Sequence, residues 1–115
     1  MYLERIQKSF ERLGLIGSVT SRTLEMLLQS FYESKAHLKP KTQENYRMFG
    51  NLLSEFFGKN KKIASIEKFN CERFKAALLK KYAACTISRG MRSCRSIFKF
   101  AVDAEWLIKN PFVGV

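Results

Sequence analysis

Cysteine is scarce in this sequence and never paired. Its 115 residues hold three, Cys71, Cys85 and Cys94. The number is odd and no two stand in a C-x-x-C spacing, which argues against both a disulfide framework and a zinc site. The thiols read as small buried residues in a reducing compartment. Histidine is rarer still, with His37 alone. No nucleophile–base pair and no metal-ligand cluster can be assembled from what remains. Two prolines, Pro40 and Pro111, punctuate the chain. There is no Gly/Ser-rich or Pro-rich linker and no internal repeat, so a single domain is expected. No apolar run approaches the ~18 residues of a membrane span, and the N-terminus has no apolar core of a signal peptide. These absences describe a soluble, cytoplasmic protein that needs no cofactor, metal or membrane.

Acidic residues are also in short supply. Asp and Glu number 10 against 21 Lys and Arg, a formal charge of +11. A cytosolic domain this basic usually meets a polyanion. What is abundant is apolar: 46% of residues are hydrophobic and ten are Phe. A chain of this length buries roughly two-thirds of its unfolded surface, so a core forms without staples.

The apolar residues recur with helical period almost throughout. Leu3, Ile6, Phe10 and Leu13 make a short leading stripe that ends at Gly14 or Gly17. Ser21 is placed to cap a second helix running to about Leu38, with Leu24, Leu27, Leu28 and Phe31 facing inward. That helix must stop before Lys39-Pro40. Pro40 suits the first position of a third helix, whose Tyr46, Phe49, Leu52, Leu53 and Phe56 share a face up to a C-cap at Gly58. The KNKK loop, 59–62, reads as flexible and solvated. Asn70 is placed to cap a fourth helix that turns Phe74, Ala77 and Leu78 inward. A fifth runs from about Thr86 to Glu105. The fold expected is all-α: a bundle of four main helices with a short leading one.

The last helix separates its residues sharply. With Arg89 at zero and about 100° per residue, Arg92, Lys99 and Arg95 fall near 300°, 280° and 240°, with Ser88 near 260°. Met91, Cys94, Ile97, Phe98, Ala101 and Val102 cluster between about 80° and 220° on the same wheel. No acidic residue interrupts this helix before Asp103. A solvated face ordinarily mixes signs so that i, i+4 pairs form. Four like charges repel, and a duplex phosphate backbone relieves that repulsion while releasing counterions. A second basic patch, LKPKTQENYR, sets Lys39, Lys41, Thr42 and Asn45 at a helix N-terminus, where unpaired N–H groups favour an anion. Together the two suggest elements that address one groove and its flanking phosphates.

The ordered set LKPKT-x-x-x-Y, NLLSEFFG, IASIEKFN, T-x-x-R-x-x-x-x-x-R-x-x-F-x-x-A-V and LIKNPF resembles the core-binding domain of tyrosine recombinases, the phage-type integrases. The resemblance covers roughly residues 20–115, leaving 1–19 as an N-terminal extension. It implies a SAM-like four-helix module. It also implies a DNA clamp, in which this domain covers one side of a recombination half-site and a C-terminal catalytic domain covers the other. The family turns the helix that begins KPKT, and its last long helix, toward DNA. On that pattern Lys41, Thr42 and Asn45 lie at the first, and Thr86, Ser88, Arg89 and Arg92 match the T-x-N-R-type start of the second. Ser88 stands where the family commonly has Asn. Arg95 and Lys99 continue the basic face of the wheel. The implied partners are double-stranded DNA, the catalytic domain of the same protein, and other recombinase protomers on DNA.

The family cuts DNA with a nucleophilic Tyr assisted by Arg, Lys and His, including an H-x-x-R motif. Here His37 is followed by Leu38, Lys39 and Pro40. Tyr2, Tyr32, Tyr46 and Tyr82 are spaced as helix or core residues. The chain is therefore expected to lack the catalytic domain and not to exchange strands by itself. Two rivals remain from the sequence alone. One is a helix-turn-helix regulator with its turn at 82–85; the other is a SAM-like protein-interaction module anchored by Phe100 and Trp106.

Overall fold

A computed structural model describes residues 22–115. The leading helix expected from Leu3 to Leu13 and the cap expected at Ser21 lie outside the described residues. Among the described residues, four α-helices form an all-α bundle: α1 Leu24–Ser34, α2 Pro40–Phe57, α3 Lys68–Leu79 and α4 Ala84–Asp103. One 3-10 turn, Ile63–Ser65, joins α2 to α3.

Each boundary has a local cause. Thr23 caps α1, its Oγ1 accepting the Met26 N–H at 3.3 Å. The helix stops at Ser34 rather than Leu38. A turn follows, and the Gln43 side-chain amide takes the Ala36 and Leu38 carbonyls at 3.1 and 2.7 Å. Those oxygens are thus satisfied without a further helical turn, and Pro40 is free to open α2. Gly58 ends α2 at φ +92°, a backbone angle few side chains tolerate. The KNKK loop is not loose. Its Lys59 and Lys61 carbonyls accept the Glu25 and Leu24 N–H groups, which closes the N-terminus of α1. Asn70 is the third residue of α3, not its cap. Glu67 holds the cap position, and Asn70 Oδ1 accepts its N–H at 2.9 Å.

The core lies where the four helices meet. Leu27, Phe31, Phe49, Leu53, Phe74 and Phe98 are among its fully buried members. Ring edges meet ring faces, as for Phe31 with Tyr46 at 4.9 Å and with Phe100 at 5.9 Å. Phe56, expected inward, is 44% exposed and leans on Phe74 from outside. Cys71 and Cys94 are buried between α3 and α4 while Cys85 is exposed. Burial pushes the Cys71 thiol up to about 12, with Glu72 adding to it, and raises the Cys94 thiol as well. Neither is a nucleophile near neutral pH.

Beyond α4 the chain turns back on itself. Trp106 and Glu105 donate their N–H groups to the Ala101 and Val102 carbonyls at 2.8 and 3.0 Å, the double closure of a Schellman turn. Glu105 occupies its left-handed position at φ +65°, where glycine is the usual residue. Glu105→Gly is expected to stabilise the domain by about 0.5–1 kcal/mol, read as a raised urea midpoint. An unchanged midpoint would show that the left-handed angle costs nothing here. The returning tail then docks. Asn110 Nδ2 donates to the Arg95 carbonyl at 2.9 Å, and its Oδ1 accepts the Phe112 N–H at 2.9 Å. Phe112 is buried completely between Phe74 and Phe98.

Candidate nucleic-acid interface

α2 and α4 run side by side because two small features let them approach. Gly90 on α4 faces the Phe49 ring so closely that a methyl group built on it would overlap the ring. Near it, half-buried Asn45 donates from Nδ2 to Ser93 Oγ at 2.8 Å. Gly90→Ala would gain about 1 kcal/mol in helix propensity. Overpacking costs more, about 1–3 kcal/mol, because Phe49 is fully buried and cannot swing aside. A lowered urea midpoint is expected for that variant; a raised one would contradict the close approach.

The Asn45–Ser93 bond places the predicted site residues relative to one another. Lys41 stands one turn before Asn45 on α2, and Arg89 stands one turn before Ser93 on α4, each about 40° from its partner around the helix. Lys39, Lys41 and Thr42 are exposed, as are Ser88, Arg89 and Arg92. Thr86 and Arg95 are half-buried. Among the described residues, neither Lys41 nor Arg89 nor Arg92 meets a carboxylate within salt-bridge distance. Lys99 does: its Nζ lies 2.9 Å from Asp103 Oδ2. That pair is 71% and 63% exposed, so it is worth only about 0.3–0.5 kcal/mol and opens readily.

The two helices differ from their neighbours at their starts. Lys39 and Ala83 hold the cap positions of α2 and α4, and neither supplies a side-chain hydrogen bond. Neither helix has an acid in its first turn. Their first N–H groups keep the positive end of the helix dipole uncompensated. By contrast Thr23 serves α1, and Asn70 braces the start of α3.

Ser93 was not among the sequence-predicted site residues. It is 5% exposed and sits about 40° from Arg89 on the wheel. Its spacing, four residues after Arg89, was the available signal. Phe100 and Trp106, the candidate anchors of an interaction module, are half-buried and occupied at home. Phe100 packs on Phe31, and Trp106 meets Phe100 at 5.9 Å under the Arg22 guanidinium, 4.4 Å from its ring centre. Among the described residues there is no cluster of His, Cys, Asp or Glu suited to a metal ion. No described helix is long and apolar enough to cross a membrane.

Four packed helices with cationic side chains on two adjoining members define a small, basic all-α module. The chain belongs to the phage integrase SAM-like domain family, whose model matches residues 23–114. That family is a non-catalytic part of integrases of the tyrosine recombinase type. No curated protein and no solved structure matches the chain.

Proposed function

We propose that residues 20–115 form the core-binding domain of a site-specific tyrosine recombinase, gripping duplex DNA on one side of a recombination half-site. The uncapped start of α2, with Lys39, Lys41 and Thr42, holds phosphates. The Thr86–Arg92 face of α4 reaches into the adjoining groove, with Arg95 and Lys99 extending it. Strand cleavage belongs to a catalytic domain elsewhere in the same protein, which closes on the opposite side of the DNA. Other protomers assemble on the same duplex, in the cytoplasm of a bacterial host or in service of a mobile element.

The observation that carries this reading is the Asn45–Ser93 hydrogen bond. It lies on the seam where the packing of Gly90 on Phe49 already holds two basic, uncapped helices beside each other. Polyanion binding by such a surface is governed by counterion release. Titrating a fluorescent 20-base-pair duplex at several salt concentrations tests it. With four or so phosphates neutralised, log affinity should fall against log salt with a slope of about −3 to −4. Absence of binding in dilute buffer, or affinity indifferent to salt, would refute the proposal.

A further inference from the structure

We infer that Ser93 is a specificity-positioning residue: it turns the Asn45 amide so that the carbonyl oxygen, not the NH2 group, is offered to a base edge. The inference rests on the DNA-binding reading and deepens it. Three observations lead to it. Asn45 Nδ2 donates to Ser93 Oγ at 2.8 Å. Ser93 itself donates to the Arg89 carbonyl of its own helix at 3.4 Å. Its proton is therefore directed along α4, and a lone pair is left to receive the amide. Asn45 Oδ1 has no hydrogen-bond partner among the described residues, and it is not one of the buried unpaired atoms. The residue is half-buried, one helical turn on from Lys41, and is joined to Ser93, which stands one turn on from Arg89.

An asparagine free to flip offers either end of its amide. One whose NH2 is engaged by a buried hydroxyl presents an acceptor. In the major groove the matching donors are the exocyclic amino groups, adenine N6 and cytosine N4. Guanine O6 and thymine O4 are themselves acceptors and are repelled. Asn45 so held distinguishes amino-bearing from keto-bearing bases at the position it meets, and Ser93 is what makes the distinction. Ser93 is 5% exposed, so it acts only through Asn45.

Selection from a randomised 20-base-pair duplex pool, followed by sequencing, tests this with the 115-residue chain. Wild type should enrich adenine or cytosine roughly tenfold over guanine or thymine at one position. Asn45→Ala should erase the enrichment there and identify the position. Ser93→Ala should reduce it to about threefold or less, while affinity for the unselected pool changes less than about threefold. A purely structural role for Ser93 would instead lower the melting temperature and leave base preference intact. Full enrichment in Ser93→Ala, or enrichment of a keto base at the Asn45-dependent position, overturns the inference. So does binding with no Asn45-dependent position, and in that case the DNA-binding reading stands. If wild type fails to bind the pool at low salt, the DNA-binding reading itself fails and takes this inference with it.

Discussion

Replacing Arg89 and Arg92 together with glutamate is expected to lower duplex affinity by about a hundredfold or more while leaving the helical fold unchanged. Each arginine is exposed on α4, opposite the face that packs into the bundle, so neither change removes a core contact. Exposed substitutions of this kind shift stability by about 0.5 kcal/mol or less. Losing two phosphate or base contacts at about 1.4 kcal/mol each gives the hundredfold. The salt slope should flatten by about two units as well. Lys80→Glu with Lys81→Glu changes net charge by the same amount at exposed positions beyond α3. That control separates the site from the overall field and should cost less than about tenfold. Equal losses in the two double variants would mean that bulk charge, not this face, attracts the DNA.

Phe112→Ala is expected to cost about 3–5 kcal/mol, although the residue lies in the tail after the last helix. Its ring is fully buried, 5.1 Å from Phe98 and 6.2 Å from Phe74. No solvent-facing rearrangement can fill the space. A domain of this size is stable by roughly 5–15 kcal/mol, so the loss removes a large share of the whole. The melting temperature should fall by at least about 12 °C. Val113→Ala, one residue on and 60% exposed, should shift it by no more than a degree or two. If both variants melted alike, the tail would be an appendage and not part of the core.

The helices themselves were legible because their apolar stripes are long and regular. α2 opens at Pro40 and ends before Gly58 as expected, since proline and glycine act through the backbone and leave little choice. Asn70 was harder. Asn satisfies a helix start from the cap position or from the third position, and only coordinates separate the two. Of adjacent Phe56 and Phe57, the apolar stripe of the helix took in the first. The helix end instead leaves Phe56 outside and half-buries Phe57, both against Phe74. Helical period loses discrimination within the last turn.

For the candidate site, the charges were readable and their neighbours were not. The wheel counted serines as polar, so Ser93 went unremarked, although it is buried and joins α2 to α4. That contact spans 48 positions in sequence, and no local pattern encodes it. Lys99 looked like one more member of a basic row until Asp103, one turn on, was found beside it. Trp106 offered itself in the sequence as an anchor for a partner, yet it is occupied within the domain. Its pairing with Arg22 depends on where α1 begins.

The seat of Phe112 has a consequence for biosynthesis. Every aromatic partner of that ring is translated earlier, Phe74 by 38 residues and Phe98 by 14. A nascent chain that has already released all four helices from the ribosome still has an open slot between α3 and α4. Closure waits until Phe112, nine residues beyond the end of α4, has emerged as well, and until then Phe74 and Phe98 present a sticky cleft to chaperones and to neighbouring nascent chains.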